Sequence, residues 1–274
     1  MSQTKLMKYF IFTALPCEAK PLVAYFKLKK DLSSHPFAVY HHEEMVLTVS
    51  GCGKIAMAAA VAYTLAKFKP STHPVLVNVG IAGHQTATIG ELFTAHKITD
   101  NETAKNFYPS ILTQLARSSQ TIYTVSRPQT VYGVNCLYDM EASSFYEIAT
   151  RFTTGELIQV FKVVSDNQHT GLLQINAVAV SAWIMAQVEI IAEGIKQLQA
   201  LASPLEIKES PYYAIVLTQW HFTANAKLQL KALLQRWAIL TSDAPLNFSE
   251  TELTHSKAVL HWLEQKINRL DFEL

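Results

Sequence analysis

The sequence predicts an α/β fold: a three-layer α/β/α arrangement around a central mixed, mostly parallel sheet, with a small C-terminal α/β appendage. Three observations carry this expectation. Short apolar runs rich in β-branched or aromatic residues recur along the chain, helix-patterned stretches alternate with them, and no internal repeat or low-complexity tract interrupts the pattern.

The candidate strands are Tyr9–Leu15, Met45–Val49, Val75–Val79, Glu91–Ile98, Ile122–Val125 and Ile158–Val164. Between several of them lie the alanine-rich stretch Ile55–Phe68 and Ala142–Phe152, in which Phe145, Ile148, Ala149 and Phe152 recur at helical spacing. Parallel strands need crossover connections, so this alternation favours a parallel sheet. A long helix, Leu173–Leu198, carries the apolar stripe Ile184, Val188, Ile191, Ile195 and Leu198 and ends at Ala202-Ser203-Pro204. Further on, Tyr212–Trp220 reads as a strand, and Ala224–Leu240 and Glu250–Leu270 read as amphipathic helices. The expected division is a catalytic-type domain over 1–204 and an extension over 205–274, packed onto it by Trp220, Trp237 and Trp262.

With 274 residues, 49% of them hydrophobic, the chain can bury a large core. A formal charge of +1 offers no footprint for phosphate backbones or anionic membranes, so nucleic acid and membrane are not expected partners. The apolar start of the chain is cut short by Pro16, Glu18 and Lys20, and the uncharged stretch Thr170–Val188 is punctuated by Gln174, Asn176, Ser181 and Gln187, which reads as a buried helix. Cys17, Cys52 and Cys136 are odd in number and lack metal-ligand spacing, which reads as reduced thiols in a cytoplasmic protein.

Three acidic residues stand at strand ends or helix starts, where α/β sheets hold their ligands: Glu18, Glu141 and Asp166. Each has a plainer explanation, a helix dipole for Glu141 and solvated turns for the other two. Two glycine-bearing turns accompany them, Ser50-Gly51-Cys52-Gly53-Lys54 before a helix and Asn78-Val79-Gly80-Ile81-Ala82-Gly83 at a strand end, where backbone can approach a ligand. The first lacks the GxxxxGK spacing and the following hydroxyl of a nucleotide-binding P-loop.

Taken in order, these features over residues 8–198 resemble the methylthioadenosine/S-adenosylhomocysteine nucleosidase and purine nucleoside phosphorylase family, whose patterns are similar to SGxGK, N-x-G-x-A-G, MEA and a late SD. The resemblance implies a phosphorylase/hydrolase-like fold and cleavage of a purine N-glycosidic bond, with no metal or organic cofactor. It also implies roles. Asp166 matches the acid that protonates purine N7, and Glu18 the carboxylate that activates water. Met140 and Glu141 match the ribose site, and Gly80, Ile81, Ala82, Gly83 and Ser165 complete the substrate-binding set. Relatives are oligomers whose pockets borrow residues from a neighbour, so at least a homodimer is implied, with Phe107 and Tyr108 as candidates for a borrowed wall.

The chain departs from the pattern in places. It has no arginine before Arg117, where the phosphorylase branch binds phosphate, so water is the expected nucleophile; Lys20 and Lys54 offer only point charges. Ile81 replaces a small hydroxyl residue, and Ser126-Arg127-Pro128-Gln129-Thr130 stands where relatives have the aromatic that stacks on the base. Val131 and Tyr132 are candidates for a base wall, with an ordinary core tyrosine as the alternative. Among ten histidines, His84 and His169 lie where they could line a pocket mouth. The leading expectation is a hydrolase of a purine or 5′-modified nucleoside. The alternatives are a phosphate-dependent phosphorylase and a catalytically silent nucleoside-binding protein.

Overall fold

A computed structural model describes residues 6–111, 118–129, 131–170, 175–205, 210–242, 244–248 and 253–270. It divides into two compact units, Met1–Glu206 and Ile207–Leu274.

The first unit is built on a ten-stranded mixed sheet. Its strands are β1 (Met7–Thr13), β2 (Lys29–Lys30), β3 (Ala38–His42), β4 (Met45–Val49), β5 (Pro70–His84), β6 (Leu92–Asp100), β7 (Asn106–Phe107), β8 (Ser119–Thr124), β9 (Leu137–Asp139) and β10 (Ile158–Asp166). Its helices are α1 (Pro16–Tyr25), α2 (Lys54–Lys67), α3 (Ala142–Ala149) and α4 (Ala177–Ala202). All six predicted strands and three predicted helices are present; α1, β2, β3, β7 and β9 are additions.

The long central strands pair in parallel: β1 with β4 and β5, and β5 with β10. Strand β10 also pairs antiparallel with β6, and β6, β8, β9 and β5 are joined in turn, so β5, β10, β6, β8 and β9 close into a ring. Strands β1, β4, β3 and β2 continue outward from β5, and β7 pairs with β6. Closure needs β5 to run well past the predicted Val75–Val79, and its fifteen residues give it room to pair on both sides.

Helices cover both faces, as the apolar periodicity requires. On one face Met57, Val61 and Leu65 of α2 and Phe145 and Ala149 of α3 pack on Phe10, Phe12, Leu76 and Val160. On the other, Val180, Ile184, Val188, Ile191, Ile195 and Leu198 of α4 pack with Leu22 of α1 on Ile11, Val77, Phe161 and Val163. Each such side chain removed from water contributes about 1.5–3 kcal/mol. Helix α4 continues into a short 3-10 turn, and this span is long and apolar enough to cross a membrane by length and composition. Its apolar stripe is the one buried against the sheet. Asn176 caps it, accepting hydrogen bonds from the N–H groups of Val178 and Ala179; the predicted start at Leu173 lies outside the described residues.

The second unit corrects one expectation. Tyr212–Trp220 is not a strand: Pro211–Gln219 form a helix, α5, started by Pro211 at its first position and by Ser210, whose hydroxyl accepts from the Tyr212 N–H. An apolar run of nine residues is ambiguous by periodicity, and the Ser-Pro start decides it. Helices α6 (Ala224–Thr241) and α7 (Ser256–Asn268) follow, so the described part of the extension is helical rather than α/β; the predicted start of the last helix at Glu250 lies outside the described residues. Val216, Leu230, Leu234, Val259 and Leu263 form its own core with Trp237 and Trp262, and Trp220 packs against it. The tryptophans therefore serve the extension's own core.

Candidate active site

The C-terminal ends of β1, β5 and β10 and the β9–α3 junction converge on a cavity of about 270 Å³. Its lining includes Glu18, Ile81, Ala82, Gly83, Tyr132, Met140, Glu141, Ser165 and Asp166. Residues from four separated segments are thus brought to one place.

Glu18 lies in the first turn of α1, which Pro16 starts immediately after β1. The side chain folds back, so that Oε2 accepts from the N–H groups of Ala14 and Leu15, both at 2.8 Å, and Oε1 accepts from Ile81 N–H at 2.9 Å. The first two bonds are those of a helix-capping glutamate; the third ties it to β5. Gly80 lies directly beneath: a Cβ there would stand 3.0 Å from Glu18 Oε1 and 3.2 Å from Lys162 Nζ, so any side chain would crowd both charges. Burial pushes the Glu18 carboxyl above its ordinary range, while Lys162 and the three N–H groups oppose the rise.

Glu141 opens α3 and its Oε1 accepts from Gly53 N–H at 2.7 Å, which explains the SGxG turn: it holds the glutamate from across the cavity. Its carboxyl is pushed up to about 7, chiefly by burial, with Lys162 and Gly53 opposing and the charges of Asp139 and Glu18 adding. Met140 beside it lines the cavity.

Two residues absent from the sequence reading anchor this region. Lys162, in the middle of β10, is fully buried and pairs with Asp139 Oδ2 at 2.9 Å. Burial alone would lower its pKa, but Asp139, Glu141 and Glu18 outweigh that and hold the ammonium protonated. Asp139 is itself buried, accepting from Thr124 Oγ1 at 2.7 Å and from the Ala142 N–H at 2.8 Å at the start of α3. The signal was a lysine inside the apolar run Val160-Phe161-Lys162-Val163-Val164, since a charge in a buried strand demands partners.

Asp166 ends β10, opposite Gly83 of β5. Ser165 Oγ donates to its Oδ1 at 2.5 Å, and the Tyr132 hydroxyl donates to its Oδ2. Burial, and then Asp166, push the Tyr132 phenol above its ordinary pKa. Pro128 and Gln129 of the replaced loop also line the cavity, whereas Thr130 lies outside the described residues.

Other candidate residues lie outside the cavity lining. Val131 does not line the cavity and is 78% exposed, whereas its neighbour Tyr132 is buried and lines it. His84 is buried but turned away from the cavity lining, its Nδ1 accepting from the N–H groups of Thr86 and Ala87 and its ring stacked on Phe93, with burial lowering its pKa. His169 is exposed. Lys54 pairs with Asp100 and Glu102, and Lys20 is exposed on α1; neither lines the cavity. Phe107 packs on Tyr146, and Tyr108 is exposed. Among the described residues no group of three His, Cys, Asp or Glu side chains is placed to hold a metal ion.

No protein-family model matches the chain, and no curated protein matches it in sequence. Solved structures do match in fold. The 5′-methylthioadenosine nucleosidase of Arabidopsis thaliana aligns with a TM-score of 0.59 at 15% identity, over 70% of this chain and 96% of that one. The chain has the nucleosidase fold. The 5′-methylthioadenosine/S-adenosylhomocysteine nucleosidase of Helicobacter pylori, solved with butyl-thio-DADMe-Immucillin-A, aligns at 0.55 and 15% over 70% and 99%. A mutant futalosine hydrolase from the same organism aligns at 0.55 and 14% over 70% and 100%. The nucleosidase fold therefore accounts for about the first unit.

Proposed function

We propose that this protein hydrolyses the N-glycosidic bond of a purine nucleoside or a 5′-modified nucleoside. The observation that carries the reading is the convergence of Asp166, Glu18 and the Met140-Glu141 pair on one cavity in a nucleosidase fold. In the step this arrangement supports, the bond between the base and C1′ breaks and its electron pair goes to the base. Asp166 gives a proton to the base nitrogen N7, so the base leaves neutral. Glu141 accepts hydrogen bonds from the sugar hydroxyls and balances the positive charge that grows on the ring, while Met140 packs against the sugar. Water attacks C1′ and its proton passes to Glu18, whose burial strengthens it as a base.

Charge favours water over phosphate. Among the described residues the lining contains four carboxylates, Glu18, Asp139, Glu141 and Asp166, and no arginine or lysine, and the buried Lys162 behind it is already paired. A phosphate dianion would enter a negative site without a bidentate partner.

The three thiols, none in a disulfide, support a cytoplasmic setting, and the exposed Val178 and Met185 on α4 support a homo-oligomer. The deciding experiment is incubation with inosine, adenosine, methylthioadenosine, S-adenosylhomocysteine and uridine, with and without phosphate, followed by chromatography. Free base and free sugar independent of phosphate are expected. Ribose-1-phosphate formed only with phosphate would make it a phosphorylase, and saturable binding without product a nucleoside-binding protein.

A further inference from the structure

We propose that Tyr132 is an internal stand-in for the base: in the ligand-free protein its phenol seats on Asp166, and a nucleoside must displace it to reach the acid. The proposal rests on the nucleoside reading above for the identity of the ligand, but its geometry stands apart from that reading.

Both oxygens of Asp166 are already engaged, Oδ1 by the Ser165 hydroxyl at 2.5 Å and Oδ2 by the Tyr132 hydroxyl. Tyr132 and Asp166 both line the cavity, so a base nitrogen reaching for the carboxyl meets the phenol already seated on it. Ser165 precedes Asp166 in the buried strand β10 and is itself buried, within 3.3 Å of the Ala82 carbonyl. Tyr132 is the partner that can leave, because it sits in the irregular segment between β8 and β9, with Gly133 in open space on one side and the exposed Val131 on the other. Its backbone is tied by a hydrogen bond from Gln85 Nε2 to its carbonyl at 3.1 Å, which leaves the side-chain torsions as the moving parts.

The seat is shaped for a flat ring. Gly83 lies under the phenol so closely that a Cβ would come within 2.8 Å of ring atoms Cε1 and Cζ, and Tyr138 packs beside it at a ring-centroid distance of 5.2 Å. An aromatic ring set against a bare glycine, beside a second aromatic and in contact with Asp166, occupies the place proposed for the purine, although the phenol donates to the carboxyl where purine N7 would accept from it. The phenol hydroxyl also lies 3.2 Å from the Gln129 carbonyl, on the loop that replaces the expected stacking aromatic. Tyr132 acts as a positioning and selectivity residue: only a base whose own bonds to Asp166 exceed the phenol's displaces it.

The test reads Tyr132 directly and needs no turnover. Protein carrying tyrosine labelled with carbon-13 at Cζ is examined by NMR, with Tyr132→Phe assigning the signal. Asp166→Asn alone should shift the Tyr132 resonance in the ligand-free protein, and adenine or methylthioadenosine should move it toward the value of a solvated phenol. A Tyr132 signal unmoved by Asp166→Asn, or unmoved by a purine shown to bind by calorimetry, overturns the proposal. A signal moved by Asp166→Asn in a protein that neither binds nor cleaves any purine supports the seated phenol and overturns the nucleoside reading instead. Kinetics supply a second arm. Tyr132→Phe should lower KM by about three- to tenfold, the worth of one hydrogen bond no longer broken on binding, with kcat within about twofold. A purely structural role would raise KM or lower kcat. Gly83→Ala, whose Cβ would crowd a purine in that seat as it crowds the phenol, should raise KM; an unchanged KM there, or a rise in KM on Tyr132→Phe, counts against the proposal.

Discussion

Glu141 is where ionisation and function meet most directly. With its carboxyl pushed up to about 7, it accepts sugar hydrogen bonds fully only above that pH. The expected kcat/KM profile falls on the acid side of about pH 7, and Glu141→Gln should remove that limb while lowering activity throughout. The same shift carries a stability cost. A carboxyl whose folded pKa lies above its unfolded value favours the folded state while protonated, so that contribution is present below the unfolded value of 4.5 and is lost as pH rises through about 7. Thermal unfolding at pH 8 should therefore find Glu141→Gln more stable than the parent by about 1–3 kcal/mol, with the difference vanishing near pH 4.5. Asp166→Asn should lower kcat by about 10²–10⁴-fold, the usual worth of a positioned acid, with ligand affinity largely kept. Equal losses of binding and turnover would count against the acid role. Glu18→Gln should give a comparable loss of kcat; near-normal turnover would leave Glu18 only as the cap of α1, which its bonds to Ala14 and Leu15 N–H also explain.

At the scale of elements, β10 and the β9–α3 junction are held by one buried ion pair. Lys162→Met should remove the ammonium and leave Asp139 buried without its partner, lowering stability by about 3–5 kcal/mol in chemical denaturation. A loss below about 1 kcal/mol would show that Asp139 is satisfied by Thr124 and the α3 backbone alone. Asn176→Ala, at the cap of α4 and outside the cavity lining, should cost about 1 kcal/mol in thermal unfolding and leave kcat unchanged. The elements also show what was legible beforehand. Met45–Val49 matches β4 because a short β-branched run bounded by polar residues has one reading. The five-residue Val75–Val79 undershoots β5, since neither its polar start beside β1 nor the glycine-bearing end that pairs with β9 and β10 continues the β-branched run. Leu137–Asp139 was missed for the same reason, three residues whose extended backbone is held only by partners in β5 and β8.

For the whole molecule, the described residues that line the cavity belong to the first unit. We propose that the extension is dispensable for chemistry: a chain ending at residue 206 should keep kcat/KM within about threefold in the nucleoside assay, and a larger loss would assign the extension to the site. The sequence by itself determined the order of the long strands and of three helices in the first unit, the acidic residues at their ends and the absence of an arginine before Arg117, because local periodicity and residue chemistry are properties of neighbours along the chain. Closure of the sheet into a ring, the pairing of Lys162 with Asp139, the reach of Gly53 to Glu141 and the seating of Tyr132 on Asp166 were decided only by tertiary structure. Each joins residues 15 or more positions apart, and nothing in the local sequence around either partner records which distant group it will meet.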